Sequence, residues 1–300
     1  MENIIRRLDI NKKYCVDTAI KLAGIVFTLW STIALFVPFD NIIDEKYPWF
    51  VKLIFALLII FAIFIFAYII CAVRVLRQNS VKLLDVGNNH GVYVQYGDVF
   101  SSKILGKNAI SNKRNILISV NRCFDTIVDD DLISSRSLHG TAMRDLYTNS
   151  AFTHDSLNKK IQSKLKGSHC ELINKCDKPK GNQLRYEAGC VAEIEANSDV
   201  TYFFLGLTCF DKQLHPYITD IEYVTAISKA LDYCLKRNQG YPVIIPIIGG
   251  GMAGTNKSEQ DILNYLVRLI IMNRQSINCD IHIVVRESAR SSIAISELKY

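Results

Sequence analysis

Residues 242–254 read PVIIPIIGGGMAG, a β-branched run that breaks into Gly249, Gly250 and Gly251 and closes on Gly254. Glycine loses more backbone freedom on folding than any other residue, so this cluster marks a place where something approaches the main chain closely. Gly249, Gly251 and Gly254 satisfy GxGxxG, yet the motif falls at the end of the domain and lacks the acidic residue expected about 20 positions on, so a dinucleotide fingerprint does not fit. Thr255 and Asn256 stand where a phosphate-binding Walker loop needs Lys and then Ser or Thr. What remains is a strand end, exposed backbone N–H groups and the start of a helix. That is an anion cradle suited to a diphosphate, the alternative being a glycine-rich turn without a ligand.

Other chemistry-bearing residues offer less. His169, Cys170 and Cys176 lack a fourth ligand at zinc spacing, so no metal is expected. The run VDDD at 128–131 reads as a solvated turn. No nucleophile-and-base arrangement or carboxylate pair can be assigned, so no catalytic residue is expected and no cofactor is implied. Nine cysteines, odd in number and without CxxC, fit a reducing compartment. The net charge of +6 is mild. The basic run NKKIQSKLK from Asn158 has no interleaved aromatics, so it reads as the solvated face of a helix and no nucleic-acid partner is expected.

Elements must position these residues. Strand signals lie at VKLLDV (81–86) and GVYVQYGDVF (91–100), with GNNHG as the turn between them, then at NILISVN, YEAGCVAEIEA, VTYFFLGLTCF, YPVIIPII and IHIVVR. Thr219 and Glu222 form a capping box ahead of Ile221, Val224, Ile227 and Leu231 at helical spacing. A second helix is expected from near Ser258, with Ile262, Leu263, Leu266, Leu269 and Ile270 on one face. This alternation predicts an α/β fold with a largely parallel core and a ligand crevice at the carboxyl ends of its strands.

Of all residues, 49% are hydrophobic, and the excess lies between Ala19 and Val75. Leu53–Val73 runs 21 residues without a charge, enough for a helix to cross roughly 30 Å of hydrocarbon. Leu22–Phe39 is a shorter second candidate, with Lys21 placed to snorkel and Tyr47 and Trp49 at interfacial positions. It starts late, has no cleavage site behind it and leads into another span, which argues against a signal peptide. Arg6, Arg7, Lys12 and Lys13 precede the first run and Arg74, Arg77 and Lys82 follow the second, while the loop between carries Asp40, Asp44 and Glu45 against Lys46. The positive-inside bias places both termini in the cytoplasm. The expected domains are a cytoplasmic segment at 1–18, a transmembrane hairpin at 19–77 with spans at about 20–39 and 50–75, and a cytoplasmic domain at 80–300. Gly24, Thr28, Ser31 and Thr32 form a small, hydroxyl-bearing stripe on the first span, suited to close helix packing within the hairpin or between protomers.

YGDVF at 96–100, ILISVN at 116–121, SRSLHG at 135–140 and PIIGGGMAG at 246–254 stand in the order and strand contexts of a macro domain, the ADP-ribose-binding α/β module, which the chain resembles from about Val81 onward. The resemblance implies a macro-domain-like mixed sheet flanked by helices. With two preceding spans the chain is also similar to the transmembrane-macro effectors of Thoeris anti-phage defence in bacteria. In that family a TIR-domain partner makes an ADP-ribose derivative from NAD, and the effector binds it and damages the membrane.

The resemblance implies Asp98 on the adenine amino group and Asn121 near the distal ribose. It places Ser137, Leu138, His139 and Gly140 on one side of the diphosphate, and the loop from Gly249, Gly250 and Gly251 through Met252 and Ala253 to Gly254 on the other. Bland alternatives are a turn residue for Asp98, a strand-end cap for Asn121 and a satisfied surface histidine for His139. Ala253 stands where macro domains commonly carry an aromatic, which leaves room for an extra group on the distal ribose. SRSLHG in place of a glycine-rich loop weakens the case for ADP-ribosyl hydrolysis. The expected function is thus a non-enzymatic sensor at the bacterial inner membrane that binds its ligand, forms a homo-oligomer and disrupts the lipid. A membrane-tethered ADP-ribosyl hydrolase and a scaffold for ADP-ribosylated proteins are the alternatives.

Overall fold

The computed structural model describes residues 2–34, 47–87, 90–106, 109, 111–250 and 257–298. The chain divides into two compact units, one comprising the residues up to Asn79 together with those from Arg290 onward, the other running from Ser80 to Ala289. Asn88 and Asn89 of the expected GNNHG turn, the segment 35–46 and the loop 251–256 lie outside the described residues.

The first unit holds three helices, α1 (Glu2–Ile10), α2 (Lys12–Ala34) and α3 (Trp49–Arg77). Lys12–Thr32 and Trp49–Arg77 are long and apolar enough to cross a membrane. They are not core helices: only 11% and 6% of their most apolar windows is buried, and side chains such as Leu29, Ile54, Leu58 and Phe66 stand exposed. An uncovered apolar surface of that length is what a lipid-facing helix presents. Where the two helices meet, Cys15, Cys71 and Val75 are buried with Tyr14 and Tyr68 against them. Arg7 donates from Nη2 to the carbonyls of Val75 and Leu76 at 3.4 and 3.0 Å. A cation there satisfies carbonyls that the end of α3 leaves open and complements the helix dipole.

The second unit is built on a mixed sheet. Its strands are β1 (Ser80–Val86), β2 (His90–Tyr96), β3 (Arg114–Asn121), β6 (Val191–Glu195), β7 (Val200–Phe210), β9 (Val243–Pro246) and β10 (Ile281–Val285), with β8 (Pro216–Tyr217) added to β7. The spatial order is β1-β2-β10-β9-β3-β7-β6. The inner pairs β2/β10, β10/β9, β9/β3 and β3/β7 are parallel, and β1/β2 and β6/β7 close the two sides antiparallel. A separate hairpin joins β4 (Cys170–Leu172) to β5 (Leu184–Tyr186).

Every residue of β10 is buried, as are all but one of β3, so these central strands read as continuous apolar runs because both faces are covered. The parity of β7 shows by what. Tyr202 and Phe204 join the core of α4 (Leu138–Asn149) and α5 (His154–Lys164), whereas Phe203 packs edge-on against Tyr233 of α6 (Asp220–Arg237) at 5.4 Å. Tyr265 of α7 (Glu259–Met272) donates to the Val224 carbonyl and so lies beside α6. Helices therefore cover both sides of the sheet.

Three expectations need correction. GVYVQYGDVF is not a strand throughout, because β2 ends at Tyr96 and Asp98 folds back in the turn that follows. YEAGCVAEIEA is not one strand, because Gly189, at φ 92°, breaks it between β5 and β6 and lets Cys190 and Gly206 pair across the gap. The capping box of α6 forms, yet Ile221 is 81% and Val224 46% exposed. Ile227 and Leu231 are buried as expected, but the buried face is completed by Tyr223, Ala226 and Ala230, the Tyr223 hydroxyl bonding the Ile248 carbonyl just beyond β9.

Candidate ligand-binding site

The parallel strands all point their carboxyl ends the same way, so the segments that leave β2, β3, β9 and β10 form one rim. Asp98 follows β2, Asn121 ends β3, Gly249 and Gly250 follow β9, and Arg286 follows β10. The ladder between β9 and β3 pairs Asn115 with Val243 and Ile116 with Ile244, while β3 runs on to Asn121. The order reversal at the centre of the sheet lies between these strands, where a crevice is expected.

Asp98 is exposed and folds back, its Oδ1 accepting from the Phe100 N–H at 3.1 Å. This is the turn role, and it leaves the second carboxylate oxygen to solvent or ligand. Asn121 is buried at 4% exposure. Its Oδ1 accepts from the Cys123 N–H at 3.0 Å and the Asp125 N–H at 3.5 Å, so it caps the strand end, but its Nδ2 is buried without a hydrogen-bond partner among the described residues. The turn that follows is held open by Phe124 at φ 51°, a left-handed conformation uncommon for a bulky residue. Its ring lies edge-on to Tyr186 at 5.5 Å, and a Cβ on Gly206 would come within 2.9 Å of it.

Beneath that turn Asp125 and Lys178 form an ion pair at 2.9 Å with side chains 2% and 1% exposed. Asp125 Oδ1 also accepts from the Asn182 N–H at 2.6 Å, and Lys178 Nζ donates to the carbonyls of Lys180 and Asn182 at 2.6 and 3.0 Å. Burial pushes the Asp125 carboxyl up, against the pull of Lys178. This pair was not legible along the chain, since nothing local distinguishes a buried lysine. Asp129 and Asp131 of the VDDD turn both meet Lys180 at 2.7 Å, which braces the loop from outside.

Ser137 is the N-cap of α4, accepting from the Gly140 N–H at 2.9 Å and donating to the Ser134 carbonyl at 2.7 Å. Leu138 is 37% exposed. Gly140 packs against the Ser134 carbonyl so closely that no Cβ fits. His139 is no surface residue: burial holds its pKa at about 3 against the opposing effect of a hydrogen bond to the Asp125 main chain. Its position was legible, because Ala142, Met143 and Leu146 follow at helical spacing and are all buried.

Gly249 is buried with φ 99°, a conformation open to glycine and strained for other residues. A Cβ on Gly250 would come within 2.5 Å of Glu259 Cγ, in the first turn of α7. Glu259 pairs with Arg286 at 3.0 Å, and Tyr223 donates to the Ile248 carbonyl at 2.7 Å, so both sides of the glycine exit are pinned. Ser258 caps α7 by accepting from the Asp261 N–H at 3.1 Å. Gly251, Met252, Ala253 and Gly254 lie outside the described residues. Arg122, unremarked in the sequence, ties the β3 exit to α6 by a 2.8 Å contact with Glu222.

In the first unit, Thr28 and Thr32 bond back to the carbonyls of Gly24 and Thr28 at 2.8 and 2.9 Å, and Ser31 to that of Thr28 at 2.9 Å. These hydroxyls are satisfied within their own helix. Apart from its chain neighbours and its own helix backbone, no atom of the described residues comes within 4 Å of a Cβ built on Gly24.

A mixed sheet between helix layers, with its strand exits gathered around a glycine turn and a helix start, defines a macro domain. The family described as Thoeris protein ThsA, Macro domain, matches residues 92–286, and the chain belongs to it. The Thoeris protein ThsA of Bacillus amyloliquefaciens (strain Y2) is 24% identical over 254 residues, covering 84% of this chain and 76% of that protein. The Oceanobacillus iheyensis macrodomain, solved with ADP, aligns with a TM-score of 0.46 at 12% identity, over 73% of this chain and 94% of its own.

Proposed function

We propose that the protein is a membrane-anchored sensor whose macro domain binds an ADP-ribose derivative and acts in Thoeris defence without chemical turnover. The observation that carries the ligand reading is the buried, unpaired amide of Asn121 at the end of β3, on the strand next to the one that opens into Gly249 and Gly250. A buried donor without a partner costs about 1–3 kcal/mol unless something pairs with it. In this reading Asp98 accepts from the adenine amino group, and backbone N–H groups of the glycine loop and the α4 start face the diphosphate. Ala253 leaves room for a substituent on the distal ribose. A TIR-domain partner supplies the ligand, the occupied domains assemble, and the membrane hairpins repack along the Gly24–Thr32 stripe to breach the bacterial inner membrane, with both termini cytoplasmic.

The test is calorimetric titration of the full chain in lipid nanodiscs with ADP-ribose, NAD and amino-acid adducts of ADP-ribose. Tighter binding of an adduct than of ADP-ribose is expected. Binding of none of them would sink the reading, and equal binding of all would remove the role given to Ala253.

A further inference from the structure

His139 is the second residue of α4, 8% exposed, with its ring 6.2 Å from that of Phe204. Nε2 is buried and has no hydrogen-bond partner among the described residues. Nδ1 is therefore the nitrogen left to bond the Asp125 main chain. A neutral imidazole that donates from Nδ1 presents only a lone pair at Nε2. Phosphate oxygens also present lone pairs, so this atom is mismatched to a diphosphate. It calls for a donor.

Asn121 hangs on the same residue, since its Oδ1 accepts from the Asp125 N–H while its Nδ2 is left unpaired. An unused acceptor and an unused donor thus flank one stretch of main chain. A hydroxyl both donates and accepts, so it is the smallest ligand group that answers both. We infer that His139 determines specificity in this site: its Nε2 accepts a hydrogen bond from a secondary hydroxyl of the distal ribose, while the diphosphate is held by backbone N–H groups and not by this side chain. The inference rests on the ADP-ribose reading and assigns His139 a different part of the ligand from the one the sequence resemblance implies. Burial keeps the ring unprotonated through the physiological range, so the acceptor is always available.

The experiment compares ADP-ribose with its two analogues lacking one or the other secondary hydroxyl of the distal ribose, titrated into the full chain in nanodiscs. The wild type is expected to bind at least one analogue about tenfold or more weakly than ADP-ribose. His139→Phe keeps the ring volume without the acceptor and should bind that analogue and ADP-ribose alike. His139→Gln, which restores an acceptor oxygen, should recover part of the difference. Equal discrimination by His139→Phe and wild type would overturn the inference while leaving the ADP-ribose reading intact, as would wild-type binding that ignores both hydroxyls. Failure of the wild type to bind ADP-ribose at all would remove the reading and the inference together. A second measurement needs no folded variant: in the wild type with ¹⁵N-labelled histidine, the unprotonated Nε2 resonance of His139 should move toward its hydrogen-bonded position on adding ADP-ribose. A resonance that stays in place at saturation would also overturn the inference.

Discussion

At the residue scale, stability around the site depends on polar groups taken out of water. Lys178 and Asp125 are each almost fully buried and paired with each other. Lys178→Met strands a carboxylate in the interior and should lower stability by about 3–5 kcal/mol, whereas pairing it with Asp125→Asn should recover much of the loss. Chemical denaturation of the two variants would check this, and a single variant as stable as wild type would refute it. The buried histidines carry a pH signature. Burial holds His139 near pKa 3 and His282, which contacts Gln95 at 3.1 Å and stacks on Tyr93, near 4. An unfolded chain binds protons at both from about pH 6.5 downward, while the folded one does not. Their contribution is therefore complete above about pH 6.5 and is lost as pH falls toward 4 and 3, at about 1.4 kcal/mol per pH unit for each. Denaturation midpoints between pH 7 and 5 should fall less steeply in His282→Gln than in wild type. Parallel slopes would contradict the assignment.

At the element scale, two glycines of the site differ in what they are for. Gly140 lies against the main chain of Ser134, which cannot move without unseating the cap of α4. Gly140→Ala should destabilise by about 1–3 kcal/mol whether or not ligand is present. Gly250 faces the side chain of Glu259, which can rotate at the cost of its partly exposed pair with Arg286. Gly250→Ala should leave the melting temperature nearly unchanged and weaken ligand binding, because displacing Glu259 reshapes the turn whose backbone meets the diphosphate. Melting curves and titrations of both variants separate the roles. Unimpaired binding by Gly250→Ala would argue for a plain turn. The face of α6 shows why helix periodicity is an incomplete guide: Ile221 and Val224 satisfy the spacing yet stay exposed, whereas Tyr223, which offers both ring area and a hydroxyl for the Ile248 carbonyl, is buried beside Ile227 and Leu231.

At the scale of the molecule, the last segment of the chain belongs with the first. Arg290 bonds Asn79 at 2.8 Å and Ser296 bonds Gln78 at 3.0 Å, with Ile293, Ile295 and Leu298 buried. Removing the residues from Arg290 onward should therefore lower the melting temperature of the full chain, and an unchanged midpoint would show that these contacts add nothing. A ligand shifts an assembly only through its differential affinity for the assembled form. Saturating ligand should thus raise the yield of crosslinked oligomers in membranes. If that yield stayed constant while ligand bound, the effector step of the proposal would be lost and the binding step would stand.

The local signals legible in the sequence became the elements that depend on local physics. The apolar run Leu53–Val73, the capping box at Thr219 and Glu222, the buried strands and the glycine turn after β9 all follow from periodicity, caps or backbone freedom over a few residues. The placement of Asn121 and Gly249 at strand ends came with the macro-domain resemblance, whereas Asp98, read within a strand from 91 to 100, lies in the turn beyond Tyr96. Tertiary structure alone decided that Lys178 is buried against Asp125, that Asn121 keeps an unused donor, that His139 turns an unused acceptor inward, and that Arg290 and Ser296 return to Gln78 and Asn79. The pairs formed by His139, Lys178, Arg290 and Ser296 join residues from 14 to more than 200 positions apart, set by how the sheet orders its strands, and local periodicity carries no signal for them.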